Sequence, residues 1–192
     1  MKKTAILILA AGKSSRMGSI KQLLSYKKTT LLGWAIKQAK QSKANAVFCV
    51  LGANSEIIKK SIENYLVEII YNADYNNGLS TSIITGVSHL KDKNFDTVLI
   101  MLADQPSIST DYLNQLIITS EENNGKIIVS NYGNKMGVPA LFPKQYFNKL
   151  INLKGDYGAK EFLKMYLSEI IKMPTFYLVD IDTKEDYKNL IK

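Results

Sequence analysis

Short apolar runs alternate with helical patterns along most of this chain, and this alternation limits its possible folds more than any other feature. The runs are apolar on both faces and helical segments separate them, as is typical of a parallel sheet covered by helices on both sides. We therefore predict an α/β fold, a doubly wound and mostly parallel sheet sandwiched by helices. The predicted strands are residues 5–9, 46–51, 67–71, 97–102 and 126–130, and the predicted helices are residues 31–41, 56–65, 80–90 and a segment that Ser109 caps and that runs to residue 122.

The second half of the chain is less regular, and we interpret it as an insertion on the same sheet. We predict a strand at residues 137–142, a helix that Pro143 opens and that ends near residue 152, and a helix at 159–166. Residues 170–179 are predicted to form an edge strand with a bulge, because Pro174 interrupts them. Thr183 and Asp186 have the spacing of a helix capping box. The 192 residues contain no repeat or linker, so we expect one domain over 1–192.

Composition narrows the class of ligand. The formal net charge of +8 comes from 25 basic against 17 acidic residues, and the lysines are scattered without a long cationic run. This pattern favours small anionic ligands over nucleic acid, and the singly spaced aromatic residues offer no stacking platform. The single cysteine, Cys49, excludes an internal disulfide. The first apolar stretch ends at Gly12, too early for a secretory signal, and no segment approaches the roughly 20 apolar residues of a membrane helix. We expect a cytoplasmic protein without a membrane or nucleic-acid partner.

The loop after the first strand has the composition of a phosphate-binding loop. Gly12 and Gly18 can adopt backbone angles barred to other residues, so that successive N–H groups can converge on one anion, and Arg16 and Lys21 would supply positive charge. Five residues separate the two glycines and Ser19 follows, which excludes a Walker A loop, and the dinucleotide fingerprint is absent too. A tight strand-to-helix turn is the alternative, but such a turn does not need the two cations.

Acidic residues follow two later strands, where ligands bind in open α/β sheets. Asp104 ends an apolar strand and precedes Pro106, so it is a candidate ligand for Mg²⁺, which takes one or two carboxylates together with substrate phosphates. Capping of the next helix is its alternative role, for which Ser109 is better placed. Asp180 and Asp182 lie two apart in extended chain, and we expect only one of them to reach the same metal.

Hydroxyl and glycine residues mark two further segments. Residues 72–82 include a flexible glycine and three hydroxyl residues that enter a helix, an arrangement able to bind a base or ribose. Residues 155–160 form a glycine-bounded turn that either binds a second substrate or only turns the chain. His89 has no informative neighbour, and the sequence offers neither a zinc cluster nor a nucleophile elbow. Covalent catalysis is therefore not indicated.

Taken together, these motifs resemble the MobA-like nucleotidyltransferase superfamily, and most closely its molybdenum cofactor cytidylyltransferase branch. The matching motifs run from Leu9 to about Tyr187, with Gly137-Val138-Pro139 as a further shared segment. The resemblance implies a Rossmann-like nucleotidyltransferase fold. It implies catalytic roles for Arg16, Lys21 and Asp104, and Mg²⁺ ligation by Asp104 and Asp182. The nucleotide-binding residues that it implies are Leu9, Ala10, Ala11, Gly12, Ser14, Gly18, Asn72, Gly78, Ser80 and Ser82.

The resemblance also implies an activity. It is the Mg²⁺-dependent transfer of a nucleoside monophosphate from an NTP to the phosphate of molybdopterin or molybdenum cofactor, with release of pyrophosphate. Leu9-Ala10-Ala11-Gly12 looks like the cytidine-using variant, so CTP is the expected NTP, and a molybdenum hydroxylase is a possible recipient of the product. Two alternatives stay open at this point. They are an NTP transferase that acts on a sugar phosphate or phosphoalcohol, and a non-catalytic cofactor carrier or chaperone with the same fold.

Overall fold

The computed structural model describes residues 2–133, 135–153, 160–174 and 179–192. Its strands are β1 (Thr4–Leu9), β2 (Ser25–Tyr26), β3 (Thr29–Thr30), β4 (Ala46–Leu51), β5 (Glu68–Tyr71), β6 (Thr97–Leu102), β7 (Ile127–Asn131), β8 (Met136–Pro143) and β9 (Ile170–Lys172). Its α-helices are α1 (Leu31–Gln41), α2 (Ser55–Ile62), α3 (Leu79–Lys91), α4 (Thr110–Glu122), α5 (Phe147–Leu150), α6 (Lys160–Met165) and α7 (Lys184–Leu190).

One seven-stranded sheet organises the chain, with the strand order β5-β4-β1-β6-β8-β7-β9. β1 is parallel to β4 and β6, β4 is parallel to β5, and β7 is parallel to β9, whereas β8 is antiparallel to both of its neighbours. The predicted α/β class and the mostly parallel sheet are therefore confirmed. β2 and β3 form a separate small hairpin.

The interior strand β1 is apolar from Ala5 to Leu9, because all six of its residues are buried. Leu7 belongs to the core on one face of the sheet, together with Val87 of α3. Ile8 belongs to the core on the other face, together with Ile36 of α1 and Leu113 of α4. Helices thus cover both faces, and the strand ends are left as the place for polar residues.

Two predicted helix starts are confirmed by their hydrogen bonds. The Ser109 side chain accepts a hydrogen bond from the backbone N–H of Tyr112 at the start of α4. Thr183 and Asp186 form a reciprocal capping box at the start of α7. The described residues include no helix with both the length and the apolar character needed to cross a membrane.

In the second half, Pro143 opens a helical segment as predicted, because it is the N-cap of a 3-10 turn at Lys144–Tyr146 that runs directly into α5. Pro143 itself is extended and pairs with Thr97 at the end of β8, and the helical segment ends earlier than predicted. A short 3-10 turn follows, and α5 covers only Phe147–Leu150.

The predicted edge strand at 170–179 is confirmed over three residues, because β9 lies at the edge of the sheet. A register irregularity lies in the neighbouring strand β7, between Val129 and Ser130. Residues 175–178 lie outside the described part of the chain. Most of the predicted glycine-bounded turn at 155–160 also lies outside the described residues. That this turn binds a second substrate, or only turns the chain, therefore stays a prediction.

Candidate active site

A cavity of about 600 Å³, here called the loop cavity, lies beyond the carboxyl ends of β1 and β6. Its lining joins the segment after β1, the start of α3, the residues that follow β6 and Asp182 near the end of the chain. This is the edge at which ligands bind in parallel sheets. The predicted site residues that line it are Leu9, Ala10, Ala11, Gly12, Ser14, Arg16, Lys21, Gly78, Ser82, Asp104 and Asp182.

Gln22 holds the loop in place, although no role was predicted for it. It is only 4% exposed, and its Nε2 donates to the carbonyl oxygens of Ala10 at 2.9 Å and Gly12 at 3.0 Å. Its Oε1 accepts from the Ser14 hydroxyl, which in turn accepts from the backbone N–H of Lys21. These bonds fold the loop back on the 3-10 turn that begins at Lys21. The signal in the sequence that could have indicated Gln22 is its position directly after Lys21.

The backbone of the loop differs from the expectation at Gly12. The left-handed residues are Ser14, with φ of 56°, and Gly18, with φ of 63°. Gly12 lies outside the left-handed region, so the expected use of a barred backbone angle is wrong there. A Cβ at Gly12 would meet no protein atom within 4 Å. Glycine therefore leaves open space in the cavity lining at this position.

Lys21 and two carboxylates form the charged centre of the loop cavity. The Lys21 Nζ lies 2.5 Å from Asp104 Oδ2 and 2.9 Å from Asp182 Oδ1. Burial lowers the pKa of Lys21, but the charges and hydrogen bonds of Asp104 and Asp182 outweigh burial and raise that pKa overall. Burial also raises the pKa of the Asp104 carboxyl, against the opposing effect of the Lys21 ammonium. The side chain of Asp182 is half exposed, so Asp104 carries most of the desolvation cost.

Backbone contacts bring the two acids together although 77 residues separate them along the chain. The backbone N–H of Ile181 donates to the carbonyl oxygen of Asp104 at 3.0 Å. The Ile181 side chain is fully buried in a small cluster with Met17 and Leu31. The chain end is therefore fixed against both the loop and the end of β6, and Asp182 faces the cavity.

Asp104 has the properties of a metal ligand. Its Oδ1 is buried and has no hydrogen-bond partner among the described residues, so this oxygen retains unused acceptor capacity. Within the same residues, no group of three or more His, Cys, Asp and Glu side chains could hold a metal without help. Two carboxylates beside a cationic loop fit Mg²⁺, because this ion takes its remaining ligands from phosphate and water.

Asp180 occupies a different place from Asp182. Its Oδ1 accepts a hydrogen bond from Gln105 Nε2 at 2.9 Å, and it lines a second cavity next to the loop cavity. The structure therefore places Asp182, rather than Asp180, beside Asp104 and Lys21.

The segment at 72–82 divides into residues that line the cavity and residues that support them. Ser82 and Gly78 line the cavity. Asn72 is buried, and its Nδ2 donates to the hydroxyls of Thr81 at 2.9 Å and Ser82 at 3.0 Å. Asn72, Ser80 and Gly18 are not among the described residues that line it. Asn72 thus orients the start of α3 without lining the cavity itself.

Arg16 is exposed and lines the same cavity as Asp104. None of the ion pairs of the described residues involves its guanidinium. A cation in this position is available to a ligand, whereas Lys21 is paired with carboxylates. The cavity thus combines one available cation, one paired cation and a buried carboxylate.

Comparison with known proteins identifies the family. The model of the MobA-like NTP transferase domain matches residues 6–170. The chain belongs to this family. MobA-like relatives include purine catabolism protein PucB of Bacillus subtilis, which is 30% identical over 94% of this chain and 92% of PucB. The molybdenum cofactor cytidylyltransferase of Escherichia coli is 28% identical over the same shares of the two chains.

A solved structure supports the fold of this MobA-like chain. Rv0371c from Mycobacterium tuberculosis superposes with a TM-score of 0.86, over 99% of this chain and 98% of the other, at 24% identity. The protein is thus a nucleotidyltransferase of the MobA-like family with the expected Rossmann-like architecture.

Proposed function

We propose that this nucleotidyltransferase moves CMP from CTP to the phosphate of a molybdopterin-type acceptor and releases pyrophosphate. The observation that carries the proposal is the meeting of Arg16, Lys21, Asp104 and Asp182 in one cavity. Similarity to a cytidylyltransferase for molybdenum cofactor supports the choice of acceptor. In this proposal Mg²⁺ is held by Asp104 and Asp182.

The loop residues would bind the triphosphate. The Arg16 guanidinium is available for phosphate oxygens, and the open space at Gly12 lets the backbone approach the ligand closely. Lys21 would exchange part of its pairing with the two acids for contact with the phosphates. Both cations would then stabilise the charge that develops on the departing pyrophosphate.

The chemical step needs no protein nucleophile. An oxygen of the acceptor phosphate attacks the α-phosphorus in line, the bond from that phosphorus to the bridging oxygen breaks, and pyrophosphate leaves with the electron pair. When bound, Mg²⁺ supplies charge neutralisation at the transferring phosphoryl group. The remaining catalysis comes from positioning by the loop and by Ser82 and Gly78 at the start of α3.

Ala11 and Tyr75 are neighbours in the wall of the loop cavity, and Ala11 belongs to the segment on which the choice of CTP rests. Ala11 and Tyr75 both line the cavity, and a Cβ placed at Gly52 would lie 2.5 Å from the Cβ of Tyr75 and 2.9 Å from that of Ala11. Gly52 therefore leaves room for Tyr75 and Ala11 to pack against its backbone. The choice of CTP rests on the Leu9-Ala10-Ala11-Gly12 sequence, which looks like the cytidine-using variant.

The test is a pyrophosphate-release screen with the four NTPs, Mg²⁺ and either molybdopterin, a sugar phosphate or a phosphoalcohol. We expect release with CTP and molybdopterin, and none when either is omitted. Release with a sugar phosphate or phosphoalcohol alone would replace the proposed acceptor. Binding of molybdopterin without release under any condition would instead identify a carrier.

A further inference from the structure

A second cavity, here called the strand cavity, has a volume of about 680 Å³ and lies beside the loop cavity. Leu102 at the end of β6 lines both cavities. Asp104 lines the loop cavity and its neighbour Gln105 lines the strand cavity. A molecule bound in the strand cavity can therefore extend a substituent past the end of β6 towards Asp104.

Gln105 is the unusual residue of the strand cavity. It is 3% exposed, yet its Oε1 is buried and has no hydrogen-bond partner in the described chain. Its Nε2 faces Asp180 Oδ1 at 2.9 Å and the carbonyl oxygen of Val138 at 3.2 Å. Both of these neighbours act only as acceptors, so they fix which end of the amide carries the N–H groups. The buried oxygen of this cavity-lining residue is consequently left as an unused acceptor, which is costly unless a ligand supplies a donor.

Neighbouring residues hold this amide rigidly. The Tyr132 hydroxyl accepts from Gln105 Nε2 at 3.0 Å and donates to the carbonyl oxygen of Val138. Burial and the nearby Asp180 carboxylate raise the pKa of Tyr132, which keeps the hydroxyl protonated as a donor. The amide oxygen of Gln105 therefore has a fixed direction, as a recognition group requires.

The lining of the strand cavity matches a particular kind of ligand. Its acceptors are the free oxygen of Gln105 and the carboxylate of Asp180, and its apolar surface comes from Leu102, Met136 and Val138 beside the Tyr132 ring. Two acceptors next to apolar walls suit a flat heterocycle that carries N–H donors along one edge. Lys135 lies in the same wall and adds positive charge for an anionic substituent.

We infer that the strand cavity binds the heterocycle of the acceptor, and that Gln105 Oε1 and Asp180 recognise an amino group and a ring N–H on one edge of it. This inference rests on the proposed function, because it places the reacting phosphate of the same acceptor at Asp104. It goes further in assigning a site and a chemical class, the 2-amino-4-oxo pyrimidine edge.

The experiment compares two fluorescent probes without nucleotide or metal. 6-Hydroxymethylpterin carries the 2-amino group, whereas 6-hydroxymethyllumazine has a carbonyl oxygen in its place. In fluorescence titrations of the wild-type protein we expect the pterin to bind at least tenfold more tightly than the lumazine. Equal affinity for the two probes, or no binding of the pterin, would overturn the inference.

Two variants test whether Asp180 and Gln105 recognise the pterin. Asp180→Asn and Gln105→Met should each reduce the preference for the pterin to about threefold or less, while Asp92→Asn, at an exposed position outside both cavities, should leave it unchanged. Asp180→Asn alone decides the matter if Gln105→Met does not fold. A preference that persists in Asp180→Asn would place the pterin elsewhere.

CTP binding to the same proteins, measured by calorimetry with Mg²⁺, separates the two proposals. CTP binding without a pterin preference contradicts only the inference. A pterin preference without pyrophosphate release in the activity screen contradicts only the proposed function.

Discussion

The Nζ of Lys21 lies 2.5 Å from Oδ2 of Asp104, and the same ammonium reaches Asp182 at 2.9 Å. A single cation thus bridges two carboxylates from distant parts of the chain. The ammonium occupies the position between the acids that the proposed function gives to Mg²⁺. Lys21 and the metal would therefore compete for the same oxygens, and binding of metal and nucleotide would release the lysine towards the phosphates.

The first prediction concerns Lys21→Met. Without divalent cations this change leaves the Asp104 carboxylate buried and without its cation, so we expect a loss of about 1–2 kcal/mol in the free energy of unfolding, or roughly 2–8 °C in melting temperature. Mg²⁺ should restore most of this loss, while CMP transfer falls by roughly a hundredfold or more. Thermal melting with and without Mg²⁺, together with pyrophosphate release, measures both effects.

Lys43→Met is the matched control, because this exposed lysine lies outside the loop cavity. It should change neither the melting temperature nor the rate. If Mg²⁺ fails to restabilise Lys21→Met, the two acids do not form the metal site.

The second prediction concerns Gln22→Glu. The substitution keeps the size of the side chain but replaces the Nε2 donor with an oxygen that faces the carbonyls of Ala10 and Gly12. We expect the loop to lose its fixed shape, with a rise of about tenfold or more in the KM for CTP and a smaller change in kcat. Steady-state kinetics gives this split. An unchanged KM would show that Gln22 does not set the geometry of the loop.

The third prediction concerns the choice of base. Ala11→Gly removes a methyl group from a residue that lines the loop cavity next to Tyr75. We expect the ratio of kcat/KM for CTP over GTP to fall by roughly tenfold, because one methyl group in a binding pocket accounts for about 1–3 kcal/mol of discrimination. Competition between the two nucleotides in one reaction measures the ratio. A constant ratio would remove Ala11 from base selection.

The fourth prediction concerns acid stability. Hydrogen bonds from Thr183 hold the pKa of the Asp186 carboxyl below its ordinary value of 3.8. A lowered pKa stabilises the fold fully above that ordinary value, and this contribution disappears as the pH falls through the folded-state value. Asp186→Ala should therefore melt below the wild type at pH 6, and the difference should shrink below pH 3.8.

Glu185→Ala removes an acidic residue from the same first helical turn but no part of the capping box, and it is the control for charge alone. Its effect on melting at pH 6 should be smaller than that of Asp186→Ala. Equal effects of the two variants would mean that the helix dipole, and not the capping bonds, explains the stabilisation.

The sequence predicted the sheet well where burial leaves little choice. The strands β1, β4 and β6 are apolar on both faces because helices cover them, and their positions agree with the apolar runs. Pro143 was predicted to open a helix, and it does cap the turn that leads into α5, but its pairing with Thr97 at the end of β8 was not predicted. Such long-range pairing leaves no local signal in the sequence.

In the candidate site too, local sequence predicted some residues, and others depend on long-range contacts. The resemblance and the strand ends indicated Arg16, Lys21 and Asp104, which do line one cavity. The choice between Asp180 and Asp182 depended on a backbone bond from Ile181 to Asp104, which no local pattern encodes. The role of Gln105 likewise arises from contacts with Tyr132 and Asp180, far away along the chain.

The most direct test of the account is pyrophosphate release from CTP by Asp104→Asn in the presence of Mg²⁺ and molybdopterin, with a melting curve to confirm folding. The account predicts that the variant folds and that its rate is lower than that of the wild type by roughly a hundredfold or more. A folded Asp104→Asn protein with a nearly normal rate would contradict it.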